Sequence, residues 1–206
     1  MLTALILAAG DSTRMGHPKA LLLDAEGRPF VARIVRMFAA ADVRDIVIVT
    51  GHQHQAIVEV VSKDADVPPA FARNPDPSRG QLSSLWTGLD ALGPDTDAVL
   101  MTLVDVPLIQ VSTIRAVIDA WRVTGAPIVR PAIGERHGHP VLFARELFDE
   151  LRRAPLTEGA KAVVHAHASR VVNVPVSDEG CLVDIDTKGD YDRLISTEPR
   201  KRSNPQ

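Results

Sequence analysis

The chain has 206 residues, a length that favours one generous domain over two small ones. Hydrophobic residues make up 45% and charged residues 24%, whereas aromatic residues make up only 4%. The predicted core therefore consists mainly of Val, Leu, Ile and Ala, which is typical of buried parallel strands covered by helices.

The formal net charge of −3 gives no indication of a nucleic-acid footprint. The single Cys181 excludes an intrachain disulfide. No apolar run approaches the roughly 20 residues of a membrane span, and the apolar start lacks the basic region of a signal peptide. We therefore expect a cytoplasmic protein with no nucleic-acid and no membrane partner.

Strand and helix patterns alternate along the chain. Continuous apolar or extended runs predict strands at Leu2–Ala8, Asp45–Thr50, Pro68–Arg73, Ala98–Val104, Pro127–Pro131, Pro140–Phe143 and Val171–Val176. Helical spacing of apolar residues predicts helices around Phe30–Ala41, Ala56–Val61, Leu82–Leu92, Ile114–Trp121, Glu146–Arg152, Gly159–His167 and Tyr191–Ile195. This alternation predicts a three-layer, Rossmann-like α/β fold, a mostly parallel sheet with helices on both faces.

We predict a single domain over 1–196 and a flexible tail over 197–206, which contains the basic run Arg200–Arg202. In open parallel sheets, ligands bind beyond the carboxyl ends of the strands. The glycine loop after the first predicted strand and Asp105 after a later one both belong at that edge. The sequence therefore predicts a site there.

The loop after the first strand has features of a phosphate site. Gly10 and Gly16 leave backbone N–H groups open to a ligand, and Arg14 and Lys19 add positive charge. The spacing matches neither of the two common glycine-rich nucleotide motifs. On these residues alone, phosphate binding and an ordinary strand-to-helix connection both remain open.

The segment Leu7–Lys19, LAAGDSTRMGHPK, resembles the signature LAAGxSxRMGxxK of the MobA-like nucleotidyltransferases. Within that group it is most similar to the molybdenum cofactor cytidylyltransferases. Four further blocks follow in the family's order: Gly80–Leu85, Leu103–Leu108, Gly138–Pro140 and Asp184–Thr187. The resemblance therefore covers nearly the whole chain and implies a nucleotide-diphospho-sugar transferase type of fold.

The resemblance implies that the first loop wraps a nucleoside triphosphate. Ala8, Ala9 and Gly10 would line the base and ribose. Arg14 and Lys19 would neutralise phosphate charge and act in catalysis. The segment that closes on the nucleobase would offer Gln81, Ser83 and Ser84. For the two serines, capping of the following helix is an alternative use.

The metal that the resemblance implies is Mg²⁺, which is typically held by one or two carboxylates together with substrate phosphates. Asp105 is the predicted catalytic metal ligand; the alternative for an aspartate before Val-Pro is a turn or cap. Asp186 is favoured as the second ligand over Asp184, which would then support or cap the site. Asp190 and Asp192 are assigned to the exposed face of the last helix.

Seven histidines raise the alternative of a zinc site. Some of these histidines occur in pairs separated by a single residue, a spacing that can chelate a metal. No cysteine or acidic partner completes a recognisable zinc pattern, however. The resemblance instead puts His139, within Gly138–Pro140, on the acceptor side of the pocket.

The predicted reaction is transfer of a nucleoside monophosphate from an NTP to a phosphorylated acceptor, with release of pyrophosphate. Ala9 and Ser12 favour CTP over GTP, and the resemblance favours molybdopterin as acceptor. Cytidylyltransferases often have Gly-Asp-Gln-Pro where this chain has Val104–Pro107, which leaves the acceptor open. The alternatives are a sugar- or alditol-phosphate nucleotidyltransferase and a non-catalytic nucleotide-binding protein that serves a molybdoenzyme or its chaperone.

Overall fold

The computed structural model describes residues 1–10, 15–64 and 67–197. The strands of this part of the chain are β1 Leu2–Ala8, β2 Asp45–Thr50, β3 Ala70–Arg73, β4 Ala98–Leu103, β5 Ile128–Ile133, β6 Arg136–His137, β7 Val141–Ala144 and β8 Val171–Pro175. Its α-helices are α1 Phe30–Ala40, α2 His54–Asp64, α3 Gln81–Asp90, α4 Val111–Thr124, α5 Phe148–Arg153, α6 Lys161–Ala166 and α7 Lys188–Thr197.

The described strands form one eight-stranded sheet with the order β3-β2-β1-β4-β7-β5-β6, in which β8 also pairs with β5. β1 pairs in parallel with β2 and β4, and β2 pairs in parallel with β3. β7 enters between β4 and β5 and is antiparallel to both. β8 is parallel to β5, so the sheet is mixed but mostly parallel.

The side chains of β1 divide between two cores because alternate residues of a strand face opposite sides of the sheet. Ala4, Ile6 and Ala8 belong to a core that also includes residues of α1, α2 and α4. Leu5 and Leu7 belong to a second core with residues of α3, α5 and α6. We call these two sides of the sheet the α1 face and the α3 face. The predicted three-layer α/β fold is confirmed.

The predicted strands and helices correspond to elements of the structure, with shifts of a few residues at their ends. The short strand β6 was not predicted, because two residues are too few to establish a periodic pattern. Within the described ranges, none of the helices has the length and apolar character that crossing a membrane requires. The predicted tail lies outside the described residues except for its first position.

The carboxyl ends of β1, β2 and β4 lie at one edge of the sheet because the three strands are parallel neighbours. The loops that follow them therefore meet at that edge. One contact between these loops depends on a glycine: a Cβ on Gly51, directly after β2, would lie 2.5 Å from the carbonyl oxygen of Ala9. This close approach of the two backbones positions Ala9, directly after β1.

Candidate active site

A cleft of about 290 Å³ opens at the carboxyl edge of the sheet, between the first loop, the start of α3 and the segment after β4. We call it the small cleft. Its lining includes Ala9, Gly10, Lys19, Gln81, Ser84 and Asp105, which were predicted from sequence to bind the nucleotide or its metal. Asp186 also lines it. The fold thus brings together residues that are far apart in the chain.

Lys19 lies between two carboxylates at the wall of the small cleft. Its Nζ donates a hydrogen bond of 2.8 Å to Asp105 Oδ2 and one of 2.5 Å to Asp186 Oδ1. Burial by itself would lower the pKa of Lys19, but the hydrogen bonds to Asp105 and Asp186 outweigh it and raise the pKa above its ordinary value. The group is therefore an ammonium ion that holds the two carboxylates together.

Backbone contacts fix the two carboxylates relative to each other. The N–H of Ile185 donates to the carbonyl of Asp105 at 2.8 Å, which ties the Asp184–Asp186 segment to the end of β4. Ile185 is itself buried, in a small cluster with Phe30 and Leu194 of α7. The second carboxylate therefore depends on packing between α1 and the last helix.

Asp190 holds the backbone next to Asp186 in place. Its Oδ2 accepts hydrogen bonds from the N–H of Thr187 at 2.8 Å and from the N–H of Asp186 at 3.3 Å. The Thr187 Oγ1 in turn accepts from the N–H of Asp190 at 3.2 Å. This reciprocal capping box begins α7. Bonds from the Thr187 side chain and backbone and from Arg193 lower the pKa of Asp190 to about 2.

The donor atoms at Asp105 and Asp186 fit a hard divalent cation. Asp105 Oδ1 is buried and has no hydrogen-bond partner within the described residues, an arrangement that leaves a carboxylate oxygen open to a metal. In the same part of the chain, no three His, Cys, Asp or Glu side chains form a metal-binding group. Two carboxylates would hold such a cation together with oxygens from water or from a phosphate.

Two serines at the start of α3 are hydrogen-bonded to the side chain of a buried asparagine. Asn74 Nδ2 donates to the Oγ atoms of Ser83 and Ser84, at 2.9 and 3.0 Å. The cap of α3 is Gly80, with φ of 92°, and no side chain caps this end. The alternative that the serines cap the helix is therefore wrong. Ser84 lines the small cleft together with Gln81, whereas Ser83 is not part of its lining.

The two alanines of the first loop face opposite sides of the sheet. Ala9 lines the small cleft with Gly10, whereas Ala8 is buried in the core of the α1 face and does not line the cleft. Arg14, predicted to bind phosphate, lies outside the described residues. The predicted nucleotide contacts of this loop stay predictions.

A second cleft, of about 820 Å³, adjoins the small one on the α3 face of the sheet; we call it the large cleft. Gln81 and Leu103 line both clefts. His139 and Asp184 line the large cleft only. Burial raises the pKa of Asp184, and the charges of the carboxylates of Asp105 and Asp186 raise it further.

His139, predicted to contact the acceptor, is held at the base of the large cleft. Its N–H donates to the carbonyl of Cys181 at 2.9 Å, and its ring Nδ1 lies 3.5 Å from the Met101 carbonyl. Burial lowers the pKa of His139, so its ring is neutral at pH 7. Gly138 permits this contact, because a Cβ there would overlap the Cys181 carbonyl.

A sequence profile of the MobA-like NTP transferase domain matches residues 4–171, which contain the first loop, Lys19, Asp105 and most of the large cleft. The chain belongs to the MobA-like NTP transferase family. The resemblance of the first loop to the signature of this nucleotidyltransferase family is thereby confirmed. Asp186 lies beyond the matched range.

Solved structures similar to this chain cover almost all of it. Rv0371c from Mycobacterium tuberculosis H37Rv is 26% identical with a TM-score of 0.78, and the alignment covers 96% of this chain and 99% of that one. A structure of the same protein in complex with manganese is 27% identical with a TM-score of 0.73, over 96% and 99% of the two chains.

Among curated proteins, the bifunctional protein GlmU of Geobacter sulfurreducens is 36% identical over 132 residues, which are 61% of this chain and 26% of that protein. The chain spans about a quarter of the length of the curated relatives that it matches. This similarity therefore concerns one part of those longer proteins.

Proposed function

We propose that this protein transfers a cytidylyl group from CTP to the phosphate of molybdopterin, with Mg²⁺ as the metal, and releases pyrophosphate. The observation that carries the proposal is the cluster of Lys19, Asp105 and Asp186 in the small cleft, which shares Gln81 and Leu103 with the large cleft. CTP in the small cleft and the acceptor in the large cleft would meet at these three side chains.

In this reaction an oxygen of the acceptor phosphate attacks the α-phosphorus of CTP. The bond from the α-phosphorus to the bridging oxygen breaks, and pyrophosphate leaves with the electron pair. No nucleophile from the protein is required, so catalysis depends on positioning the two phosphates and neutralising their charge. Mg²⁺ held by Asp105 and Asp186 would supply part of that neutralisation.

Lys19 supplies a second positive charge at the same place. In the ligand-free protein its ammonium group is bound by the two carboxylates. A triphosphate in the small cleft would offer it oxygens of higher charge, and Arg14 remains a predicted partner in that task. The manganese complex of Rv0371c from M. tuberculosis, a structural relative, supports the use of a divalent metal.

Two features support CTP and molybdopterin over other substrates. Ala9 and Ser12 agree with the cytidylyl type of the family signature. The large cleft has a volume of about 820 Å³, in the upper range for small-molecule sites, which suits a ring-bearing acceptor better than a small sugar phosphate. Its wall also carries Gly138 and His139, which the family resemblance puts beside the acceptor.

The test of nucleotide and metal binding is thermal melting with CTP, GTP, ATP and UTP, each with and without Mg²⁺. A ligand that binds only the folded state raises the melting temperature with its concentration. We expect the largest increase with CTP and Mg²⁺, and a smaller one for Asp105→Asn. Asp119→Asn, an exposed aspartate on α4, is the matched control. No increase with any nucleotide would contradict the proposal.

The first alternative is a sugar- or alditol-phosphate nucleotidyltransferase, which would use the same loop and carboxylates. The two are separated by measuring pyrophosphate release from CTP with molybdopterin, hexose 1-phosphates or tetritol phosphates as the acceptor. Turnover with the sugar or alditol phosphates alone would exclude molybdopterin as the acceptor.

The second alternative is a non-catalytic protein that serves a molybdoenzyme or its chaperone. It predicts CTP binding that survives Asp105→Ala and no turnover with any acceptor.

A further inference from the structure

Apolar side chains from two neighbouring strands form part of the floor of the large cleft. Met101 and Leu103 of β4 and Val141 and Phe143 of β7 provide apolar side chains from the α3 face of the sheet. Arg130 of β5 lines the same cleft. It is on the same face as Ile128, a member of the α3-face core two residues earlier. A guanidinium group therefore lies beside these apolar side chains.

Arg130 is held in place without a counter-charge. Its Nε donates a hydrogen bond of 2.8 Å to Asn173 Oδ1, from the position opposite it on β8. No Asp or Glu of the described part of the chain forms an ion pair with it. Burial lowers its pKa from the ordinary value, but the group stays charged. Because Asn173 occupies Nε, the two terminal nitrogens remain as a planar pair of donors.

The strand register gives the distance from Arg130 to the metal ligands. Val129 pairs with Leu142, so Arg130 lies beside Val141, which pairs with Met101 on β4. Arg130 is thus two strands from β4, and Asp105 lies four residues beyond Met101. With standard strand spacing and rise, the two Cα atoms are roughly 15 Å apart.

Charged side chains lie towards both ends of the large cleft. Asp184 lines the cleft two residues before Asp186, so it lies at the end next to the carboxylate pair. Arg130 and His137 line the cleft away from that pair; burial and the nearby guanidinium lower the pKa of His137, whereas the charge of Glu135 raises it. Glu158 and Lys161 also line the cleft. A ligand that extends from Asp184 to Arg130 meets a carboxylate group first and a guanidinium group last.

We propose that Arg130, oriented by Asn173, binds a second anionic group of the acceptor, on the order of 10 Å from the phosphate that reacts. The inference rests on the proposed function and names a property of the acceptor: an oxyanion at the end remote from its phosphate. A planar guanidinium with two free nitrogens binds such a group through two parallel hydrogen bonds. The anion would compensate the partly buried positive charge, which forms no ion pair with an acidic side chain of the described ranges.

The kinetic test compares Arg130→Gln, Arg130→Lys and Asn173→Ala with the parent chain, with molybdopterin as acceptor. We expect Arg130→Gln to raise the KM for the acceptor about tenfold or more, with kcat at saturation and the KM for CTP little changed. Arg130→Lys restores charge but not the paired bonds and should recover part of the loss. The matched control is Arg136→Gln, an exposed arginine bound to Glu179. An acceptor KM for Arg130→Gln that equals the control's overturns the proposal.

A second measurement does not depend on turnover. The Arg130 Nε–H resonance is followed by NMR while inorganic phosphate is added to the nucleotide-free protein and to the CTP-bound protein. We expect saturable shifts in both, weakened in Asn173→Ala; the Arg130→Gln spectrum, which lacks this resonance, identifies it. No shift overturns the proposal even if CTP binds as expected. A shift in a protein that binds no nucleotide would support the anion site while contradicting the proposed function.

Discussion

Replacement of Lys19 by methionine tests the electrostatics of the site most directly. The substitution keeps much of the side-chain volume but removes the ammonium group that bonds to Asp105 and Asp186. The two carboxylates then face each other without their shared cation. We expect the metal-free protein to lose stability and its affinity for a divalent cation to increase.

The size of the loss depends on the exposure of the three side chains. Lys19 is 12% exposed and Asp105 21%, but Asp186 is 43% exposed. A hydrogen bond between charged groups contributes about 1.5–3 kcal/mol when it is shielded from water, and an exposed ion pair about 0–1 kcal/mol. We take the Lys19–Asp105 bond near the low end of the first range and treat the Lys19–Asp186 bond as an exposed pair. The expected decrease in the free energy of unfolding is then about 2 kcal/mol.

The assay is thermal melting of the nucleotide-free protein with and without MnCl₂. For a chain of this size, 2 kcal/mol corresponds to a decrease of about 4–8 °C. Manganese should restore most of the loss in Lys19→Met and have less effect on the parent chain, in which the Lys19 ammonium already offsets one of the two negative charges. The control is Lys63→Met, which removes an exposed ion pair with Glu59. It should change neither the melting temperature nor its response to manganese appreciably.

Two results would refute this reasoning. A melting temperature of Lys19→Met equal to that of Lys63→Met would show that the bonds to the carboxylates contribute nothing. A decrease that manganese does not reverse would show that the carboxylates, once freed, do not form a metal site.

Three further predictions concern the support of the site. Asn74→Ala leaves two buried serine hydroxyls without their donor and should cost about 2–3 kcal/mol in urea unfolding, whereas an unchanged midpoint would refute that role. Gly51→Ala brings a Cβ against the Ala9 carbonyl and should cost about 1–3 kcal/mol and weaken CTP binding, whereas Gly93→Ala, with open space around it, should do neither. Burial raises the pKa of Cys181 to about 11, so the thiolate forms first in the unfolded chain as pH rises above 9. The contribution of Cys181 to stability should therefore be constant below pH 9 and fall by about 2 kcal/mol by pH 11, so the decrease in stability over this range should be smaller in Cys181→Ala.

The strands that build the site could be predicted because they are buried on both sides. β1, β2 and β4 are continuous apolar runs. β1 is followed by the glycine-containing first loop and β4 by Asp105, so the predicted site residues could be located from the ends of these strands. The position of β7 between β4 and β5 could not be predicted, since strand order depends on packing across the whole sheet and leaves no local pattern. The arrangement of the large cleft depends on that insertion, which explains why Arg130 was not recognised from the sequence.

Among the site residues, the choice between Asp184 and Asp186 also needed coordinates. Residues two apart in an extended segment face the same way, so either carboxylate could have pointed at Asp105. The structure turns Asp186 to Lys19 and leaves Asp184 to the large cleft. Asp190, which was assigned to an exposed helix face, instead anchors the start of α7. The signal for this was present, since Thr187 and Asp190 have the spacing of a capping box.

The capping box of α7 also has a consequence for the order in which the site forms during translation. Lys19 and Asp186, which share a hydrogen bond, are separated by 167 positions in the chain. A ribosome has therefore made the first loop and Asp105 well before it adds Asp186. Until the last helix is synthesised and docks against α1, the segment that carries Asp186 lacks the hydrogen bond to Asp190 and the packing against Leu194. Premature termination before this helix would leave a nearly finished sheet in which the second carboxylate lacks that support.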